Sequence, residues 1–241
     1  MHKLLKAETS ALLKWRAIIY TIAIIVILGA FSPFLNIMNE DPTLGGCFEF
    51  TYIVLMITST ILGLFMYRDY SQNTIRNKIV VGHSRASVYF SKSITISGFM
   101  LLVIIMFFAL SVSIGACFGD IGYIDWNIFV QNCLMVLIST LAIASLVALT
   151  SICIQSPIGA MLPLMLMMTA MFVCMIMLEM FMVNENTAMI ELFQTMPILS
   201  LITLTETTKP FDLIGTAVYG AVLICVLQIG GYTIFRKMDL K

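Results

Sequence analysis

The residues best equipped for chemistry lie between positions 68 and 92, in the stretch RDYSQNTIRNKIVVGHSRASVYFSK. It carries Arg68, Arg76, Lys78, Arg85 and Lys92 against one acid, Asp69, with long apolar runs on both sides. Cations placed this way suit electrostatic docking, to anionic lipid or to acids on a partner protein. They do not suit bond-making. No G-x-x-x-x-G-K-[ST] phosphate loop, H-E-x-x-H or G-x-S-x-G occurs, and the only histidines, His2 and His83, fall in polar stretches. No catalytic residue, metal site or nucleic-acid partner is expected.

The elements that must position this segment are membrane spans. A chain that is 60% hydrophobic and 11% charged, with mean hydropathy +1.02, has too few charges to cover a soluble globule. Its apolar runs reach the length of about 18 or more residues needed to cross a bilayer. Six are predicted, at 17–36, 50–67, 95–118, 127–150, 158–182 and 213–235, in a single transmembrane domain covering 1–241. The fold class is all-α integral membrane. Lys3, Lys6, Lys14 and Arg16 precede the first span as they would in a signal peptide, but no small-x-small cleavage site follows, so a retained signal anchor is expected.

Charge distribution orients the spans. In a six-span arrangement, twelve of the thirteen Lys and Arg fall on one side and Lys209 alone opposite. Lys and Arg in short loops stay in the cytoplasm, so both termini and residues 68–92 are expected there, with the chain multi-pass in a cell membrane. Trp15, Tyr20, Tyr67, Tyr70 and Trp126 fall where amphipathic rings anchor at the interface. The stretch HKLLKAETSALLKWR mixes Leu5, Leu12, Leu13 and Trp15 with cations and predicts a helix lying in the cytoplasmic interface.

Within 68–92, YSQNTIRNKIVV has apolar Ile75 and Ile79 at helical spacing, with Val80 on the flank. Gly82 supplies a stop because it takes φ > 0 without penalty, and Ser84 is an N-cap for the helix leading into the third span. Read from the residues alone, the segment either enforces topology and touches lipid, or docks a partner.

The pattern D-Y-x-x-x-T-I-R-N-x-x-x-x-G-x-S-R-x-x-x-x-x-S-K resembles the loop between spans two and three of bacterial ABC-2 type permeases, the membrane subunits of ATP-driven exporters. The matching positions are Asp69, Thr74, Arg76, Gly82, Ser84, Arg85 and Lys92. Asn73 stands where that family usually has Gly, and Asp69 where Glu is commoner. The resemblance extends over the chain in span count, a basic helix before the first span and the closing FRKMDLK. It implies a coupling helix at 68–92 seated in a cleft of a cytoplasmic ABC ATPase, present in two copies. Asp69, Thr74, Ile75, Arg76, Ile79, Gly82, Ser84 and Arg85 would form the ATPase-coupling set, with Ile75 and Ile79 as apolar anchors and Arg76 and Arg85 facing acids. ATP and Mg would be bound by the partner, none by this chain. A second permease subunit, identical or related, would complete the pathway.

Span five holds nine of the nineteen methionines. Unbranched, polarizable Met suits a surface that accepts varied apolar partners, or simply fills space. Under the resemblance, Met165, Met168 and Met175 would line a path for a hydrophobic or amphipathic cargo, most plausibly a peptide, including a toxic or antimicrobial one. Residues 183–212 predict short helices at the outer face, where Glu179 and Phe193 would form a gate. Glu179 is the one carboxylate inside a span and reads as snorkelling outward. Cys47 and Cys117 are either free thiols or a pair. Two other functions remain open: a non-transporting membrane anchor or sensor that recruits a cytoplasmic partner, and an ion-coupled carrier.

Overall fold

The structure, a computed structural model, describes residues 2–38, 48, 50–118, 126–183, 201 and 213–238. Among them the regular structure is entirely helical, in eight helices: α1 (His2–Leu13), α2 (Arg16–Met38), α3 (Thr51–Ser71), α4 (Thr74–Val80), α5 (Arg85–Phe118), α6 (Trp126–Cys153), α7 (Pro157–Val183) and α8 (Leu213–Lys237). Six of these, all but α1 and α4, are long and apolar enough to cross a membrane. In hydrocarbon every backbone group must be bonded within its own segment, which is why apolar runs of this length form helices. The hydroxyls obey the same constraint. Thr21, Thr58, Thr140 and Ser145 each donate to the carbonyl four residues back, at 2.7–2.9 Å.

Two helices extend beyond the spans expected from the sequence. α3 continues to Ser71, past the span end expected at 67, and the helix expected to follow the Ser84 cap runs from Arg85 unbroken into the span placed at 95. The basic segment is therefore mostly helical extension of two spans, with only α4 as a separate piece. Several polar residues there, Asp69, Arg85 and Lys92 among them, do not end the helices because they find partners at the bundle end.

Helices α3 and α6 are the enclosed members of the bundle, and α7 and α8 present most of their surface outward. α8 packs chiefly on α6, α7 on α3, and α2 on α5. Small residues set the closest approach: a Cβ on Gly63 of α3 would collide with the Ala160 backbone of α7. Tyr52 donates to the Met167 carbonyl across the same pair of helices. α8 is tied in by Gln228, whose amide donates to Ser93 (2.7 Å) and Ser145 (3.1 Å) while accepting from Tyr89 (3.1 Å). At the far end, Phe48 stacks near Phe108 and Phe129, with centroids at 5.3 and 5.7 Å.

The helix before the first span is more than an interfacial anchor. Leu4, Glu8 and Leu12 of α1, one turn apart, are buried, and α1 packs on α5 and α2. Leu13, expected among its apolar contacts, is exposed.

Candidate functional site

The basic segment folds into a defined turn–helix–turn. Gln72 and Asn73 close the end of α3 by donating to the Arg68 and Tyr70 carbonyls, both at 3.0 Å. Asn73 then takes φ 55°, a left-handed conformation that Asn tolerates better than most residues. Thr74 Oγ1 donates to the Asp69 carbonyl at 2.9 Å and fixes the reversal. α4 ends as the sequence predicts. His83 N–H bonds the Lys78 carbonyl (3.2 Å) and Gly82 N–H the Ile79 carbonyl (3.0 Å), with Gly82 at φ 104°. This is a Schellman closure around a left-handed glycine. Ser84 Oγ accepts from the Ser87 N–H at 3.2 Å, capping α5.

Below α4 lies a buried charge cluster that the sequence reading missed. Lys92 of α5 donates to Glu8 of α1 at 2.8 Å and to Asp69 of α3, while Lys78 of α4 also pairs with Glu8. Glu8, Asp69 and Lys92 are all buried. Removing charges from water is costly unless each is paired, and here two ammonium groups meet two carboxylates. Burial alone would raise the Glu8 pKa. The Lys92 and Lys78 ammonium groups outweigh it through charge and hydrogen bonding, and hold the carboxyl below its ordinary value. The cluster joins α1, α3, α4 and α5 at one point. Its sequence signal is Glu8 on the Leu4–Leu12 stripe of a helix otherwise rich in Lys.

Arg85 is likewise consumed within the chain. Its guanidinium donates to the carbonyls of Arg236 (2.9 Å) and Met238 (2.7 Å), capping the end of α8. The N-terminal helix, α4 and the end of α8 therefore meet at one end of the bundle.

The residues of the expected docking set lie in different environments. Ile75 is 2% exposed and belongs to the chain's own core, and Ile79 packs on that core. The helix turns its i, i+4 apolar pair inward, because α3 and α5 lie beneath it. Ile75 is thus enclosed by the chain itself, and Ile79 is half-buried. Arg85 does not face outward acids, and Asp69 is turned inward to Lys92. What α4 presents outward is Arg76 together with Val80 and Val81, which are 77% and 80% exposed. Thr74, Gly82 and Ser84 shape the turns.

The remaining expected site residues lie far from α4 along the sequence. Met165, Met168 and Met175 share the exposed face of α7, whereas Met167 is buried, its sulfur 3.9 Å from Ser59 Oγ. Glu179 is exposed near the end of the same helix. Phe193, Cys47 and the expected outer segment, apart from Val183 and the buried Leu201, lie outside the described residues, and Cys117 is an exposed free thiol. Among the described residues no group of His, Cys, Asp and Glu is arranged to hold a metal ion. No family model and no curated protein matches the chain.

Proposed function

We propose that the chain is the membrane subunit of an ABC-2 type exporter, working with a separate ATPase. The observation that carries this reading is α4. A seven-residue helix, in the segment whose sequence resembles the coupling loop of that family, is braced from beneath by the charge cluster and turns Arg76, Val80 and Val81 outward. An apolar pair beside one exposed cation fits a cleft with an apolar floor and an acidic rim. The left-handed Asn73 also removes the family departure at that position, since Gly and Asn are the residues that visit this region of backbone space.

In this reading residues 68–92 and both termini face the cytoplasm, ATP and Mg are held by two ATPase subunits, and a second permease subunit packs against α7. The cargo passes between the two chains and is hydrophobic or amphipathic, most plausibly a peptide.

The test is co-purification of the full chain in detergent with ATPase subunits encoded by the same genome, for the wild type, Val80→Asp and Arg76→Glu. Both variants alter exposed side chains, so the permease stays folded. Binding that is lost in either variant supports the coupling reading. Binding that survives both moves the docking surface elsewhere, and absence of any bound ATPase favours the anchor or sensor. Ile75→Asp is unsuitable, because it would place a charge in the chain's own core.

A further inference from the structure

The charge count at the end of α3 does not close. Lys92 and Lys78 are matched by Glu8 and Asp69. Arg68, one residue before Asp69, is a fifth charge and shares the Phe65 ring with Lys92, whose ammonium lies 5.0 Å from its centroid. It has no ion pair among the described residues, and its Nε–H is shielded from solvent with no acceptor. The carbonyl end of α3 offers it only a partial negative charge. Its guanidinium is nevertheless held in place, 5.7 Å from the Trp15 ring centroid and 5.9 Å from that of Phe65.

Trp15 is the hinge between α1 and α2, and its neighbours Lys14 and Arg16 are both exposed. No acid occurs between Glu8 and Glu40. Arg68 lies over the indole, and Lys14 and Arg16 flank Trp15 in the chain, so three cations come from the region where α3 ends and α2 begins, the depth at which lipid headgroups lie. An anion with several acceptor oxygens would complement these charges, and at headgroup depth the phosphate of a lipid is such a group, matched to arginine's planar fork. Ile19 and Tyr20, 63% and 68% exposed on the next turn of α2, give an acyl chain an apolar track beginning beside the cations.

We propose that Arg68, Lys14 and Arg16, arranged around Trp15, form a site for the headgroup phosphate of an anionic phospholipid, whose acyl chain runs along α2. The site does not depend on the exporter reading. It satisfies the unpaired guanidinium and ties the α1–α2 hinge to the end of α3.

Native mass spectrometry of the full chain in detergent, with phosphatidylglycerol or phosphatidylcholine of matched acyl chains, reads the site directly. The wild type should favour phosphatidylglycerol, and Arg68→Gln should reduce that preference on the order of five-fold, the weight of one surface cation on an anionic headgroup. The exposed double variant Lys14→Gln/Arg16→Gln should reduce it further and cannot fail through loss of core packing. Lys237→Gln, another exposed cation at the end of α8, should leave it unchanged. The proposal is overturned if the preference survives in both Arg68→Gln and the double variant. It is equally overturned if Lys237→Gln lowers the preference as much, which would mean a diffuse basic face. Displacement of phosphatidylglycerol by millimolar inorganic phosphate would show a free-anion site and overturn the lipid assignment.

Discussion

Lys92 and Asp69, 23 residues apart in sequence, form an ion pair inside the bundle, and Glu8 from the N-terminal helix completes the coordination of the same ammonium group. Sequence neighbours could not create this arrangement. It exists because α3 and α5 run side by side and α1 folds back across them.

Loss of the ammonium should be far worse than loss of the whole cluster. Lys92→Met leaves Asp69 without its cation in a buried position and should cost about 3–5 kcal/mol. The triple variant Glu8→Gln/Asp69→Asn/Lys92→Met removes the charges together and should recover most of that. Thermal unfolding midpoints in detergent give the comparison, and a triple variant as unstable as the single one would contradict the pairing.

Acid should release α1. The folded Glu8 carboxyl is held below its ordinary value of 4.5. Its ionised form therefore favours the folded state, and the contribution is complete above about that pH. It is lost as pH falls through the lower folded value. Fluorescence of Trp15, at the α1–α2 hinge, should change in this acid window in a Trp126→Phe background. In Glu8→Gln that step should disappear. A step that persists in the variant assigns the acid sensitivity to another group.

The two turns flanking α4 should respond unequally to small substitutions. Gly82 sits at φ 104° with open space around it, so Gly82→Ala costs only backbone strain, about 1–2 kcal/mol. Asn73→Gly keeps the left-handed conformation available and should change stability by about 0.5 kcal/mol or less. Hydrogen exchange across residues 74–80 reports both, with faster exchange expected for Gly82→Ala alone.

Two glycines separate close packing from empty surface. Gly63→Ala forces α3 and α7 apart at the Ala160 backbone and should cost about 1–3 kcal/mol. Gly98→Ala meets nothing and should be neutral or slightly stabilising, since Ala favours helix. Unfolding midpoints that move equally in both variants would mean that the α3–α7 contact is looser than described.

Span existence was legible because a bilayer imposes a length and a composition that local sequence must satisfy. Near-continuous apolar runs gave all six spans, and Gly82 and Ser84 announced their turns through backbone and capping chemistry that involves only near neighbours. The spans within α3 and α5 were drawn too short because polar residues normally mark a span's end. Here Asp69 and Lys92 are polar yet buried, each compensated by a residue from another helix. The direction of α4's faces was unreadable for a related reason. Ile75 and Ile79 announce an apolar side, but whether that side meets a partner or the chain's own core depends on what lies beneath.

The sequence by itself determined that this chain forms six apolar helices with a basic segment between the second and third, because bilayer length and helical hydrogen bonding are local requirements. Only the tertiary structure decided which charges are spent internally. Glu8, Asp69, Lys78, Lys92 and Arg85 are satisfied by groups distant in sequence, and Arg76, Val80, Val81 and Arg68 are left facing outward or unpaired. Pairing of buried charge is a property of three-dimensional neighbours, and no spacing rule along one chain specifies it.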